Sequence, residues 1–174
     1  MIDFTDSLQQ EERAIRRILD TQEDIQYRRL HEIEEIYFVG TMTPSGLKGV
    51  EVLEDGTVKV NGPTVKEGSV SSLKLIRVMP NLRKLALIKQ PIREISGLSG
   101  LWKLHEADLS CSELNTLEGL SDLPSLYTLN ISHTKVTDLT PLKDLTSLKT
   151  VTVSLDMLPV TLDPEAKYKV VVIR

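Results

Sequence analysis

Residues 126–148, LYTLNISHTKVTDLTPLKDLTSL, space their apolar side chains in a way that neither a helix nor an isolated strand explains. The segment TLNI alternates polar and apolar residues, like a strand with one buried face. The later apolar residues step in threes, which suits a 3₁₀-like return segment. The stretch therefore predicts one coil, with a short strand on one side and a return segment on the other. The apolar positions are Leu126, Leu129, Ile131, Val136, Leu139, Leu142, Leu145 and Leu148.

The same spacing occurs in the two preceding units, each shifted by 22 residues, and it begins again in a fourth unit before it is lost. Each coil can bury its apolar side chains only against the coils above and below it. The array, predicted over residues 80–158, therefore indicates a stacked solenoid whose short strands form a parallel sheet. The two earlier units contain Leu82, Leu85, Leu87, Ile92, Ile95, Leu98, Leu101, then Leu104, Ala107, Leu109, Leu114, Leu117, Leu120, Leu123.

This pattern resembles the 22-residue class of leucine-rich repeats found in bacterial internalins and related regulatory proteins. Residues 126–148 are close to the consensus of that class, including Asp138 before Leu139 and Pro141 before Leu142. The resemblance implies an α/β fold, a short right-handed solenoid with a helical cap and a parallel concave sheet. The buried Asn of the family is replaced here by other residues that can form hydrogen bonds. These are Gln90, Ser112, Thr134 and Asp156.

The segments on either side of the repeats are predicted to act as caps. Residues 1–32 contain apolar residues near one helical face, and we expect an N-terminal helical cap there. Residues 159–174 end in YKVVVIR, which predicts a C-terminal capping strand. Shifting by 22 residues places Val170 and Ile173 of that strand level with Leu148 and Val151. The apolar residues of the helical cap are Leu8, Ile15, Ile18 and Leu19.

Residues 33–79 are predicted to form a degenerate first repeat that is interrupted by an insert at about 43–69. The spacing of Ile33, Ile36 and Phe38 matches a repeat strand, and the apolar spacing resumes after the insert. The insert contains GVEVLEDGTVKVNG, two alternating runs around an Asp-Gly pair, which favours a β-hairpin. Inserts in repeat proteins often shape a binding face, and the alternative is an insert that merely shields the cap.

The composition excludes several classes of function. The net charge of −4 argues against nucleic acid as the main partner, because phosphate binding requires a basic surface. A single cysteine, Cys111, excludes an internal disulfide and a thiol-rich zinc site. No apolar run of about 18 residues is present, so we expect no membrane insertion. The polar N-terminus predicts a cytoplasmic protein, and a secreted or surface parent stays open if the chain is a fragment.

The outward side chains of the predicted sheet form the candidate partner-binding surface. We expect an exposed apolar patch near the insert, with Tyr37 and Ile88 as its largest members. The acidic residues in the next coil would favour a basic segment on the partner. We predict that the inserted hairpin forms the second wall of this surface. The candidate residues are Tyr37, Val39, Lys84, Ala86, Ile88, Glu106, Asp108 and Asn130.

The preferred functional hypothesis is a non-catalytic module that binds another protein and needs no cofactor. An extracellular adhesion or spacer domain of a larger bacterial surface protein is the alternative, and self-association through the C-terminal edge strand stays open. Cys111 and His133 are 22 residues apart, on adjacent coils, and are the only candidates for an enzyme. We expect them to be turn residues at the rim of the sheet. Trp102 is expected to lie flat over its neighbours, the other possibility being an exposed binding residue.

Overall fold

The computed structural model of the chain describes Arg13, Ile15 and residues 30–174. Six of the strands in this part of the chain form one parallel sheet, in the order β1-β4-β5-β6-β7-β8, and β2 pairs with β3 as an antiparallel hairpin. The strands are β1 (Glu35–Val39), β2 (Val50–Val52), β3 (Val58–Val60), β4 (Lys84–Ile88), β5 (Glu106–Asp108), β6 (Thr128–Asn130), β7 (Thr150–Ser154) and β8 (Lys169–Ile173).

The register of the large sheet confirms the 22-residue repeat. Lys84 pairs with Glu106, which pairs with Thr128, and Thr128 pairs with Thr150. Each strand is therefore displaced by one whole repeat from the strand before it. The predicted leucine-rich-repeat solenoid with a parallel sheet is confirmed.

Short 3₁₀ segments return the chain between strands, as the steps of three in the sequence predict. The leucines of strands and returns meet in one continuous core, and Leu109 and Ile131 between the coils are 0% exposed. Because each coil is covered by its neighbours, the core has no boundary between repeats. The 3₁₀ segments are Ile76–Val78, Ser96–Leu98, Thr140–Asp144 and Leu155–Met157.

Each of the strands β1, β4, β5 and β6 is followed by a residue in the left-handed conformation. Gly40, Lys89, Cys111 and His133 occupy equivalent positions and have φ between 53° and 56°. This conformation is uncommon for residues other than glycine, and its recurrence shows that the turn geometry is imposed by the stacking of the coils. It directs the next residue of the chain back toward the interior.

The interior position after this turn contains three of the four polar residues that replace the Asn of the family, whereas the fourth, Asp156, is exposed. Gln90 is 1% exposed and its amide donates to the Gly40 carbonyl at 2.7 Å. Thr134 Oγ1 donates to the Ile131 carbonyl at 2.7 Å. The hydroxyl of Ser112, by contrast, is buried without a partner in the described part of the chain. Two of the four predicted side chains, Gln90 and Thr134, therefore satisfy backbone groups at the turn.

The C-terminal strand β8 pairs in parallel with β7, but not in the predicted register. Val151 pairs with Val170, whereas the shift of 22 residues predicts Ile173 at that position. The last coil is shorter than the repeat, because the segment between the strands follows its own path after Met157. None of the β8 side chains is buried, and Val172 is 46% exposed.

The predicted N-terminal helical cap lies almost entirely outside the described residues. Arg13, Ile15 and Leu30 are helical, and Ile15 and Leu30 are buried in the main core beside the first coil.

Candidate protein-binding surface

The insert folds back over the concave sheet and covers part of the predicted binding surface. Val39, Ala86 and Ile88 are at most 2% exposed, because they pack against Val58 and Val60 of the hairpin in a second hydrophobic cluster. The expectation that these three sheet residues form an exposed apolar patch is therefore wrong. They are part of the core and cannot contact a partner while the insert is in place.

The alternation of the hairpin explains why it packs in this way. Val58 and Val60 point to the sheet, whereas Lys59 between them is partly exposed. Where the hairpin reverses, the Asp55 carboxylate accepts a hydrogen bond from Thr57 N at 2.8 Å, and the bonds to Thr57 lower the pKa of Asp55. Gly56 has φ of 74°, which favours glycine at this turn.

The tip of the hairpin reaches the third repeat coil. A Cβ at Gly56 would lie 3.6 Å from the His133 ring. The insert therefore extends along the carboxyl ends of the sheet strands, over the turn residue Cys111, which packs against the second cluster. This leaves the beginnings of the same strands open to solvent.

The open part of the concave sheet is polar and charged. Lys84 lies between two carboxylates, with Nζ 3.7 Å from Glu35 and 4.0 Å from Glu106. Tyr37 is partly buried, and its hydroxyl donates to Glu35 at 2.8 Å. Burial, followed by the neighbouring Glu35, raises the pKa of Tyr37 to about 12. Of the predicted residues, Tyr37, Lys84 and Glu106 are therefore accessible on this strip.

Asp108 and Asn130 belong to a hydrogen-bonded network at the edge of the insert. The Asp108 carboxylate accepts from Ser110 Oγ at 2.6 Å, from Ser110 N at 3.0 Å and from Asn130 Nδ2 at 3.0 Å. Burial raises the pKa of Asp108, although these hydrogen bonds oppose the rise. Asp108 is thus a partly buried structural carboxylate, and Asn130 connects it to the next coil.

The exposed apolar side chains near the concave face belong to the insert itself. Met42, Leu47 and Leu53 are 42%, 39% and 37% exposed. Leu53 follows the outward residue Glu51 by two positions, so both project from the outer face of the hairpin. These residues are not among the predicted binding residues. The alternation of VEVLEDGTVKV, which gives the hairpin one covered and one free face, is the sequence signal that indicates them.

Cys111 and His133 lie in adjacent coils but do not form a catalytic arrangement. Among the described residues, no hydrogen bond joins the two side chains, and His133 Nε2 is buried without a partner. The His133 side chain is only 8% exposed, and its Nδ1 lies 3.7 Å from Asp156. Burial raises the pKa of the Cys111 thiol to about 11, which disfavours the thiolate that a nucleophile requires.

Solved structures share this architecture. Internalin C2 from Listeria monocytogenes matches 63% of this chain and 52% of its own chain, at 24% identity and a TM-score of 0.50. The chain has an internalin-like leucine-rich-repeat fold. The internalin inlF from the same species matches 82% of this chain and 48% of its own, at 21% identity and a TM-score of 0.46. The chain spans about half the length of each. No protein-family model and no curated protein sequence matches it.

On this internalin-like solenoid, Trp102 precedes β5 and is 54% exposed. The Lys103 ammonium lies 5.0 Å from the centre of its ring, as a cation–π contact. Lys103 also donates to Asn81 Oδ1 at 2.6 Å, toward the preceding coil.

The described part of the chain shows neither a metal-binding cluster nor a membrane-spanning helix. No group of three or more His, Cys, Asp or Glu residues in it is arranged to hold a metal ion. None of its helices is long and apolar enough to cross a membrane.

Proposed function

We propose that the chain is a non-catalytic protein-binding module. Its partner contacts a surface made of the open strip of the concave sheet and the outer face of the insert. This binding surface contains Tyr37, Lys84 and Glu106 on the strip and Leu47 and Leu53 on the insert. The sheet supplies charge, and the insert supplies the exposed apolar side chains that were expected on the sheet.

The observation that carries this proposal is an exposed apolar side chain on the free face of the insert. A hairpin that served only to shield the core would place only polar residues on that face. Here that face carries exposed Leu53 next to charged Glu51 and Lys59. Exposed apolar side chains surrounded by charges are the usual composition of a protein interface.

The chemistry of the concave face supports a binding role over catalysis. Burial raises the pKa of Cys111, and the His133 side chain is largely enclosed beneath the hairpin tip, which argues against these two residues as a nucleophile and its base. The accessible residues Lys84 and Glu106 are ion-paired on an open sheet, which offers no enclosed site for a reaction.

Photo-crosslinking tests the proposal and identifies the partner. A benzoylphenylalanine placed at Glu106 should crosslink a discrete protein in lysate of the native cell, whereas the same group placed at Lys143, on a return segment, should not. With the partner purified, Leu53→Ala and Glu106→Ala should each weaken binding about fivefold or more. Leu155→Ala is the matched control, because Leu155 is 58% exposed but lies outside the binding surface.

The same experiment separates a binding module from a spacer. A spacer domain would give no specific crosslink from the concave position. Equal affinity of the Leu53→Ala, Glu106→Ala and Leu155→Ala proteins for the purified partner would show that the partner binds elsewhere.

A further inference from the structure

A second open surface lies at the edge of the solenoid where the strands begin. A groove of about 620 Å³ is formed there by the turns of three consecutive coils, and Trp102 forms one wall. Trp102 is the only tryptophan of the chain, and more than half of its side chain is accessible. Tryptophan is among the residue types most enriched in interaction hot spots.

The groove is acidic. Asp122 and Asp144 line it from equivalent positions of adjacent coils, 22 residues apart, and both are exposed. Coils stack at the spacing of neighbouring strands, roughly 4.8 Å, so the two carboxylates lie on the same side of the groove. No Lys or Arg is among the described residues that line it.

The Trp102 ring already accepts a cation on the side of the preceding coil. Lys103 places its ammonium 5.0 Å from the ring centre and is held there by Asn81. The groove itself opens toward the following coils, where the exposed Pro124 follows Asp122 by two residues. A cation entering the groove would therefore meet an aromatic ring, two carboxylates and a proline ring.

We propose that this groove binds a lysine or arginine side chain on an extended basic segment of a partner protein. The charged head would lie between Trp102 and the carboxylates of Asp122 and Asp144. The aliphatic stem would lie on Pro124, as long cationic side chains do on apolar surfaces. The site is separate from the concave binding surface, and this inference goes beyond the proposed function because it neither uses nor requires Leu53 or Glu106.

Intrinsic fluorescence provides a direct test, because all tryptophan emission comes from Trp102. Titration of the whole chain with a tetra-arginine peptide at low salt should change this emission saturably. A tetra-glutamine peptide of the same length should not change the emission. Added salt should weaken binding of the tetra-arginine peptide, because exposed charge pairs are screened. Calorimetry of the same titration gives a second readout that does not depend on the fluorophore.

Two charge-neutral variants locate the site. Asp122→Asn and Asp144→Asn, combined in one protein, should weaken binding of tetra-arginine about fivefold or more, since two exposed ion pairs are lost. Asparagine tolerates the left-handed conformation of Asp122, whose φ is 56°, so the fold should be retained. Glu67→Gln is the matched control, because it removes an exposed carboxylate on the insert and should leave the affinity unchanged.

Three outcomes would overturn the inference. The first is equal tetra-arginine affinity in the wild type and the double Asp→Asn protein. The second is an equal response to tetra-glutamine, and the third is a loss in Glu67→Gln as large as in the double variant. None of these outcomes bears on the concave surface, whose test depends on Leu53 and Glu106.

Discussion

The Gln90 amide nitrogen lies 2.7 Å from the Gly40 carbonyl oxygen, across the neck of the insert. The Gln90 oxygen accepts a hydrogen bond from Val70 N at 3.1 Å. The chain leaves the first coil at Gly40 and returns to it at Val70. One buried side chain of the next coil therefore holds both ends of the insert against the repeat array.

We predict that Gln90→Leu destabilises the protein by about 2–4 kcal/mol, because it leaves a buried carbonyl and a buried N–H without partners. Asn115→Leu is the matched control: Asn115 is an exposed amide in the following coil, and its loss should change the free energy of unfolding by less than about 0.5 kcal/mol. Urea denaturation measures both. Equal, small effects of the two substitutions would show that the insert is held by its apolar contacts alone.

Gly68 gives an independent test of the same arrangement. A Cβ there would lie 2.0 Å from Gln90 Oε1, so Gly68→Ala must displace the Gln90 side chain. We expect Gly68→Ala to destabilise the protein in the same direction as Gln90→Leu. The double substitution should cost clearly less than the sum of the two, because the interaction is lost only once. Fully additive free energies of unfolding, measured in urea, would contradict this expectation.

The packing contact between the hairpin and the sheet should open without unfolding of the repeats. Val60→Ala removes part of the second cluster and should weaken the packing of the insert on the sheet by about 2 kcal/mol. Hydrogen exchange should then accelerate at amides of the insert and leave Leu109 and Ile131 protected. Lys59→Ala is the control, because Lys59 lies between Val58 and Val60 but on the outer face of the hairpin. It should change exchange neither in the insert nor in the repeats. Uniform acceleration in every repeat would show that insert and solenoid unfold together.

The repeat array could be predicted from the sequence because its contacts are local and periodic. Leu109 and Ile131 occupy equivalent positions in successive coils, so the assignment of core positions in one repeat predicts those of the others. The position of the insert on the sheet could not be predicted from the 22-residue repeat. Val39, Ala86 and Ile88 look like exposed residues of a concave sheet until Val58 and Val60 are placed on them.

The matching apolar faces were nevertheless visible in the sequence. An outward apolar patch on the sheet and a hairpin with valines on one face can each be buried by the other. The predicted register of β8 is wrong for a different reason. The apolar spacing is lost after Met157, so the shift of 22 residues no longer holds there, and Val170 instead of Ile173 pairs with Val151. The repeat predicts the register only where its apolar residues continue to match.

The core between coils should tolerate little truncation. Leu109→Ala removes a fully buried side chain with coils on both sides and should cost about 2–5 kcal/mol. Thr128→Ala, a half-exposed residue on the open strip, serves as the control and should cost far less. A melting temperature unchanged by Leu109→Ala would contradict the stacking described here.

Two carboxylates should give opposite pH dependences of stability. Burial raises the pKa of Asp108 above its unfolded value of 3.8, so its contribution is fully present below that pH and is lost as the pH rises through the folded pKa. Hydrogen bonds from Thr140 lower the pKa of Asp138, so its contribution is present above pH 3.8 and is lost as the pH falls.

We therefore expect Asp108→Asn and Asp138→Asn to change the pH slope of the free energy of unfolding in opposite directions. As the pH rises above 3.8, the Asp108→Asn protein should lose less stability than the wild type. As the pH falls below 3.8, the Asp138→Asn protein should lose less stability than the wild type. Urea denaturation from pH 3 to about 7 measures both slopes, and each variant is the control for the other. Parallel curves for the two variants would contradict the assignment of Asp108 as a desolvated carboxylate.

The thiol of Cys111 should be unreactive at neutral pH. Its pKa of about 11, against an ordinary value of 9.0, reduces the thiolate fraction at pH 7 about a hundredfold. Alkylation by iodoacetamide requires the thiolate, so the rate should be correspondingly low and should rise up to about pH 11. An exposed thiol in the same chain, Thr137→Cys combined with Cys111→Ser, is the control and should react at the ordinary rate. Rapid labelling of Cys111 at pH 7 that is abolished by His133→Ala would instead show that the two side chains cooperate, and would contradict the non-catalytic function proposed above.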